Sequence, residues 1–401
     1  MAGELGLLET LWQSRRGLGR ALWETGSPLE AVEHYRAAVE AIAELYRHTS
    51  GFAEEERTAM IADKGRVFVE LIELLLRLHR EEPEAGYDRD AFRVAEQDKS
   101  RIFQEMMARA GAGISFAGDR AFQEIAERSR QLDGQRAGLQ ELLIRQLELP
   151  AEGRNPEVVE SLSGELAGVE RELAALEARI QERYPRYADL RRPQPPEVSD
   201  IQSLLQPGEA LVSYHLGPSR SVAFLVTRDD FNLVELSAGE EELSSLVRSL
   251  RAGLEGIGGY RDLERFRPED AYRLYQAVFR PLAGMLESIE TIYISADDVL
   301  HTFPFEALVY REPDQRAFRT ARREGRRGTG GYLGEYAGVH WLVEMYRISY
   351  LPSASVLCSM REHVKPGFGR WDRQLVAFAD PVFSLEGDEG GSGDGVRGAG
   401  G

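Results

Sequence analysis

The side chains that could act as nucleophiles, acids or bases are few in this sequence and are widely spaced. Cys358 is the single cysteine, and a catalytic thiolate needs a histidine within ~2.6 to 3.2 Å. The candidate histidines in the same half of the chain are His215, His301, His340 and His363. The apolar run 356–358 is typical of a buried helix face, where cysteine behaves as a small hydrophobe. We therefore predict that Cys358 is buried and inert, and that His215 is a hydrogen-bonded histidine within a strand.

Asp297 and Asp298 follow an apolar run, 291–295, that is typical of a buried strand. Carboxylates at a strand end of an α/β sheet could hold a metal ion, whereas a turn with Asx hydrogen bonds explains the same pair, and we predict the turn. The single G-x-G-x-x-G pattern, at Gly393, Gly395 and Gly398, has no strand before it and no helix after it. The sequence therefore assigns no catalytic, cofactor-binding or metal-ligating residue, and we expect no cofactor.

The N-terminal part, residues 1–118, is predicted to be helical. Six apolar residues recur at spacings of three and four, which is the period of one helix face: Leu29, Val32, Tyr35, Val39, Ile42 and Tyr46. Before them, Gly26-Ser27-Pro28 combines a helix stop, an N-cap serine and a proline at the first helical position. The small and aromatic residues around this turn resemble a tetratricopeptide helix pair. We predict such repeats over 1–118, with an ordinary helical bundle as the alternative.

Residues 119–190 are predicted to form two long helical arms. A heptad-like seam runs along the second arm through Leu162, Leu166, Val169, Leu173, Leu176 and Ile180, and Ile125, Leu132 and Leu139 supply a matching seam in the first arm. Pro150, Gly153 and Pro156 separate the arms. This pattern favours an antiparallel, coiled-coil-like hairpin with arms of about 45 Å, although an intermolecular coiled coil has the same seam. The proline-rich segment 191–199 then ends the helical pattern and is predicted to be a linker.

Beyond the linker the periodicity changes to two, which is typical of strands. We predict an antiparallel meander followed by alternating helices and buried strands, and therefore an α/β domain over 200–385. The predicted strands are 210–216, 221–226, 233–236, 291–295, 339–343, 346–351 and 374–379, and the predicted helices are 240–254 and 268–286. The basic, glycine-rich run 311–331 is predicted to be a loop. The tail 386–401 is too polar and glycine-rich to pack, and we predict that it is disordered.

The composition limits the classes of partner. The chain has 49 basic and 67 acidic side chains, a formal net charge of −18, which repels nucleic acid and anionic membranes. The longest apolar run is far shorter than the ~20 residues of a membrane span, and the acidic N-terminus is unlike a signal peptide. We therefore expect a cytoplasmic protein with protein partners, bound through the repeats and the hairpin.

Several segments together resemble proteins that join tetratricopeptide repeats to a CHAT domain. They are 91–101 (AFRVAEQDKSR), 205–215 (LQPGEALVSYH), 274–282 (LYQAVFRPL), 292–308 (IYISADDVLHTFPFEAL), 350–355 (YLPSAS) and 375–383 (LVAFADPVF). Their order matches the family from about residue 90 to 383. The resemblance implies a caspase-like fold and a cysteine peptidase whose thiolate attacks a peptide carbonyl.

In that family the catalytic histidine lies in a His-Gly motif and the cysteine in a later strand-end motif, both after the segment that Asp380-Pro381 matches. No His-Gly pair occurs here. We therefore expect a chain truncated before the catalytic motifs and inactive alone, with an incomplete sheet that exposes an edge and an apolar face. Two hypotheses follow: a peptidase-family protein whose helical part binds a regulator or substrate, and a non-enzymatic helical-repeat scaffold or adaptor.

Overall fold

The computed structural model describes residues 2–49, 64–109, 120–150, 153–184, 195–218, 220–255, 265–326 and 333–363. The predicted strand 374–379, the predicted tail 386–401 and the first part of the predicted linker 191–199 lie outside these ranges. Within them, no helix combines the length and the apolar character that are needed to cross a membrane.

The N-terminal part contains four helices: α1 (Ala2–Glu24), α2 (Pro28–Thr49), α3 (Gly65–Glu81) and α4 (Tyr87–Arg109). The predicted break between the first two helices is present. Gly26 has a φ of 89°, in the left-handed region that glycine adopts without steric cost. The two helices approach so closely that a Cβ atom at Gly19 would lie 3.0 Å from the Tyr35 ring. Gly19 therefore allows the fully buried Tyr35 to lie between α1 and α2.

Two longer helices follow, α5 (Arg120–Glu148) and α6 (Pro156–Arg183). Asn155 caps α6, because its Oδ1 accepts the backbone N–H groups of Glu157 at 3.0 Å and Val158 at 3.4 Å. The helices pack on each other through a separate apolar cluster made by Ile125, Leu132, Leu173, Leu176, Ile180 and Tyr184.

The sheet has five strands in the order β3-β2-β1-β4-β5. After helix α7 (Val198–Leu204), the strands are β1 (Glu209–His215), β2 (Ser221–Thr227), β3 (Phe231–Leu236), β4 (Thr291–Ser295) and β5 (Arg347–Tyr350). The first three form the predicted antiparallel meander, and β4 is parallel to both β1 and β5. The strands β1, β4 and β5 therefore end at the same edge of the sheet.

The remaining helices are α8 (Glu240–Ala252), α9 (Pro268–Val278), α10 (Gln315–Arg326) and α11 (Ala354–His363), with a 3₁₀ segment at Arg280–Met285. The predicted helical stretch 268–286 is therefore α-helical only as far as Val278 and continues as a 3₁₀ segment, where Pro281 removes a backbone donor. The predicted loop 311–331 is also wrong in part. Asp314 Oδ1 accepts the N–H groups of Arg316 and Ala317 and so begins α10.

The predicted strand 339–343 is wrong. Trp341 forms only an isolated bridge with Val309, and Leu342–Glu344 is a 3₁₀ turn.

Both faces of the central strands are covered. Val212 and Tyr214 of β1 belong to the core that α8 and α9 complete, whereas Leu211 of β1 and Phe224 of β2 belong to a second core built with the N-terminal helices. Phe92 of α4 contacts the Phe224 ring edge-on at 5.5 Å. The expectation of an uncovered apolar face is therefore wrong for β1 and β2, because helices of the N-terminal part cover it. At the β5 end of the described sheet, three of the four β5 residues are exposed.

Candidate functional site

A group of charged side chains lies on the apolar face of α4. Phe92, Ala95, Lys99 and Phe103 follow one another at helical spacing, and Glu96 lies on the same face. Because this face packs on the sheet, both charged residues are buried, with Glu96 0% and Lys99 5% exposed. Buried charges are stable only when they are paired and hydrogen-bonded.

Lys99 binds the two central parallel strands. Its Nζ donates to Ser213 Oγ on β1 at 2.7 Å and to Ser295 Oγ and Ser295 O on β4 at 3.1 and 3.0 Å. Ser213 and Ser295 are direct neighbours in the parallel register, and both are fully buried. One ammonium group therefore holds β1 and β4 together near their carboxyl ends.

Glu96 extends the contacts to α11. Its Oε1 accepts the Ser213 hydroxyl at 2.5 Å and lies 3.4 Å from Lys99 Nζ, while its Oε2 accepts the Ala354 N–H at 2.5 Å. Ser100 Oγ lies 2.9 Å from Ser355 Oγ, in the first turn of the same helix. Helix α4 is therefore hydrogen-bonded to β1, β4 and the start of α11.

His215 and Asp297 lie where β1 and β4 end. His215 Nδ1 is 3.5 Å from Asp297 Oδ2, and that oxygen also accepts the Leu216 N–H at 2.8 Å. His215 thus has an acceptor beside Nδ1 at the outer limit of hydrogen-bond distance, whereas its buried Nε2 has no partner among the described residues. Burial, and to a smaller extent the Lys99 ammonium, lower the pKa of His215. The imidazole is thus favoured in its neutral form, in which one nitrogen is a potential proton acceptor.

The predicted turn at Asp297 and Asp298 is present as the start of a 3₁₀ segment, Asp298–Thr302, but neither carboxylate caps it. Asp297 binds across to Leu216 instead, and Asp298 has a φ of 42°, which is uncommon for a residue with a side chain. In the described part of the chain, no group of three histidine, cysteine, aspartate or glutamate side chains is arranged to hold a metal ion.

An open groove of ≈ 680 Å³ lies beside Asp298 and the start of α8. Glu240 and Glu241 line it together with Arg248 and Arg251, so its lining contains both acidic and basic side chains. Burial and the carboxylates of Asp298 and Asp297 raise the pKa of Glu240. The groove could bind a small polar group, and it lies at the edge where ligands of α/β sheets commonly bind.

The other candidate residues are not part of this cluster of buried polar contacts. Cys358 of α11 was predicted to be buried but is only partly buried, at the margin of the core that the N-terminal helices share with the sheet. His301 lies on the 3₁₀ segment, where burial and the Lys99 ammonium lower its pKa although Asp297 and Asp298 act in the opposite direction. His340 Nδ1 lies 3.7 Å from Glu344 Oε2. The side chain of His363 lies outside the described residues.

The sequence analysis missed the role of Glu96 and Lys99. The sequence did contain a signal, because Glu96 and Lys99 interrupt an otherwise apolar helix face. A solvent-exposed ion pair would instead lie on the opposite, polar face of the helix. Their acceptors on the strands carried no comparable signal, since single serines occur in many buried strands.

In a comparison with known protein families, residues 268–390 match the CHAT domain family model. No curated protein matches the chain. The matched segment includes α9, β4, α10, β5 and α11, and it extends beyond the described residues at its end. It also contains Ser295, Asp297 and Ala354, whereas Glu96, Lys99 and Ser213 lie before it. The α/β part of this chain therefore contains a CHAT domain, a family related to the caspase-like peptidases.

Proposed function

We propose that this chain is a CHAT-domain protein of the caspase-like cysteine peptidase type, in which the helical part binds a regulator or substrate protein and transmits that binding to the α/β part. The observation that carries the proposal is the contact of Lys99 with Ser213 and Ser295. A helix of the N-terminal part is directly hydrogen-bonded to the carboxyl ends of two parallel strands, where α/β proteins commonly assemble their sites.

The contacts of α4 provide a physical route by which partner binding to the helical part is transmitted to the α/β part. The Lys99 and Glu96 contacts are short, buried and made to three different elements. A displacement of α4 by an ångström or two would break them, and each broken contact would leave a buried polar group unpaired at a cost of about 1 to 3 kcal/mol. Partner binding that moves α4 would therefore alter the strand ends and the start of α11.

The proposed organisation has tetratricopeptide-like repeats over 1–118, an antiparallel coiled-coil-like hairpin over 119–190, a linker over 191–199 and the CHAT part over 200–385. The packing of α5 on α6 supports the hairpin. The pairing of β1 with β4 supports a CHAT part that begins before residue 268. The protein acts in the cytoplasm on protein partners.

The 401-residue polypeptide alone does not cleave peptides, because it lacks the His-Gly motif of the family. Purified chain is incubated with a pool of quenched fluorescent peptides of varied sequence, beside a Cys358→Ala variant. Both proteins are expected to release no more fluorescence than a sample of buffer without protein. Cleavage by the parent chain that Cys358→Ala abolishes would contradict inactivity and would make Cys358 a nucleophile.

Transmission is tested by hydrogen exchange on the intact chain. A Lys99→Met variant is expected to exchange faster at the ends of β1 and β4 and at the start of α11, with α5 and α6 unchanged. The matched control is Arg77→Met, which breaks an exposed ion pair with Glu81 on α3. Equal exchange in Lys99→Met and the parent chain would refute the proposed route.

A non-enzymatic adaptor is the second candidate function. Apolar side chains are exposed around the turn between α5 and α6, namely Leu142, Leu149 and Val158, and such residues are typical of a contact surface. Sequencing the source DNA beyond the codon for Gly401 separates the two candidates. Coding sequence with a His-Gly motif and a later cysteine favours the peptidase type, and an immediate in-frame stop favours the adaptor.

A further inference from the structure

Helix α10 has a row of arginines on a chain whose net charge is −18. Arg316, Arg319 and Arg323 are separated by three and four residues, so that they lie on one face of the helix. All three are exposed. The row extends over about 10 Å at 1.5 Å per residue, which makes it a compact basic surface on an acidic protein.

The opposite face of α10 is fixed to the α/β core. Phe318 is 8% exposed and packs edge-on against Tyr336, with ring centroids 5.3 Å apart. Arg322 lies over the Phe318 ring, and its Nε is 3.6 Å from Glu335 Oε1. Because these contacts hold the backbone of α10, the arginine row is presented in a fixed position rather than on a mobile loop.

The three arginines form no ion pair with a carboxylate in the described part of the chain. Arg319 donates to Gln315 Oε1 at 3.5 Å, which is a neutral acceptor on the preceding turn. Among the residues that the structure describes, no carboxylate lies within ion-pair distance of Arg316, Arg319 or Arg323. Like charges at these spacings repel one another, so a partner that supplies carboxylates would relieve that repulsion.

We propose that Arg316, Arg319 and Arg323 form a docking surface for an acidic protein segment. A short peptide can align two or three carboxylates with the row while the rest of it avoids the acidic body of the chain. A nucleic acid fits less well, because it typically binds through six or more phosphate contacts. Glu312 and Glu324 are exposed near the row in the sequence, so the anionic part of the bound segment must be short enough to contact the three arginines alone. This surface goes beyond the proposed function, since it lies on the α/β part and needs no helical repeat.

The test measures fluorescence anisotropy of a labelled oligoglutamate peptide with the full-length chain at low ionic strength. The parent chain is expected to bind oligoglutamate and not oligoglutamine of equal length, with affinity that falls as salt is added. The triple variant Arg316→Glu, Arg319→Glu, Arg323→Glu is expected to bind about tenfold or more weakly. The same three positions changed to glutamine should give a smaller loss in the same direction, which covers the case in which charge reversal disturbs folding.

The matched control reverses three exposed arginines on α6: Arg171, Arg179 and Arg183. It changes the net charge by the same amount but leaves α10 intact, and it is expected to keep binding within about twofold of the parent chain. Equal losses in the α6 and α10 variants would show only a general charge effect and would overturn the proposal. Tighter binding of oligothymidylate than of oligoglutamate, abolished by the α10 variant, would also overturn it in favour of nucleic acid.

Discussion

Lys99 Nζ lies 2.7 Å from Ser213 Oγ, a contact between residues 114 positions apart that joins an N-terminal helix to the central strand of the sheet. The same ammonium donates to Ser295. Helix α4 thus has two functions in the fold: it belongs to the helical part, and it covers one face of the sheet. The CHAT-domain segment and the helices before it therefore share both an apolar core and a buried polar contact.

Replacing Lys99 tests the energetic value of that contact. In Lys99→Met the Glu96 carboxylate would remain buried without its cation, so we expect the free energy of unfolding to fall by about 3 to 5 kcal/mol. Urea denaturation followed by circular dichroism measures this change.

Two further variants serve as controls for Lys99→Met. The double variant Glu96→Gln, Lys99→Met should lose less than the sum of the two single variants, because no uncompensated charge stays buried. Arg77→Met in the exposed pair with Glu81 should cost no more than about 1 kcal/mol. A loss below that value for Lys99→Met would mean that the buried contact contributes little.

Replacing Phe92 tests the apolar contact between α4 and the sheet. Phe92 is fully buried against Phe224 and Phe231, and we expect Phe92→Ala to lower the free energy of unfolding by about 3 to 5 kcal/mol. Amide exchange in β2 should become faster as well, since α4 covers that strand. Leu18→Ala on α1, where the side chain is about half exposed, is the control and should leave β2 unchanged. Unaltered exchange in β2 of Phe92→Ala would contradict the shared core.

The stability of the chain is expected to depend on pH through His215. Burial, and then Lys99, lower its pKa in the folded state, although Asp297 and Asp98 act in the opposite direction. The unfolded chain therefore binds a proton near pH 6.5, where the folded chain does not. Stability should fall as the pH is lowered from about 7 towards the folded-state pKa, by at most about 1.4 kcal/mol per pH unit for this group.

Urea midpoints of the parent chain and His215→Gln between pH 7.5 and 5.5 measure this effect. The variant should show the flatter dependence. Burial also raises the pKa of Asp98, but Asp98 is present in both proteins and therefore does not reverse the comparison. His340→Gln, in a half-exposed pair with Glu344, should retain the slope of the parent chain. Parallel curves for the parent and His215→Gln would refute the prediction.

At the opposite edge of the sheet, Arg361 fixes α11 to β1. Its Nη2 donates to both oxygens of Glu209, at 2.7 and 2.8 Å, and to Tyr293 Oη at 2.6 Å. Burial alone would raise the pKa of Glu209, but the Gln206 N–H and the Arg361 guanidinium together bring it below its usual value. The stabilising contact is therefore present above the ordinary carboxyl pKa and is lost as the pH falls through the lowered one.

We expect Arg361→Met to cost about 1 to 2 kcal/mol near neutral pH. The difference from the parent chain should shrink as the pH falls below the ordinary carboxyl pKa and through the lowered pKa of Glu209. Thermal unfolding at a series of pH values tests this. A difference that stays constant into the acid range would mean that Arg361 acts through packing rather than through its charge.

The sequence alone was sufficient for the elements whose side chains alternate or recur with a clear period. The strands β1 to β4 and the helices α2, α6 and α8 follow such patterns, and the helix breaks at Gly26 and at Pro150 to Pro156 use residues that favour them locally. Helix α10 was missed because Phe318 is its single described residue below 9% exposure, so that the segment has no apolar period. Local propensity and periodicity are encoded within a few neighbouring residues, and this is why they can be predicted.

The candidate site was decided by the tertiary structure. Glu96 and Lys99 contact Ser213, Ser295 and Ala354, which lie 114 to 258 positions away in the sequence. No sequence feature near any of these residues predicts its contact with the others. The packing of α4 on the sheet, instead of an uncovered apolar face, has the same origin. Which helix covers a sheet depends on how whole surfaces fit together and on whether each buried charge finds a partner, and both properties exist only once distant segments have come together.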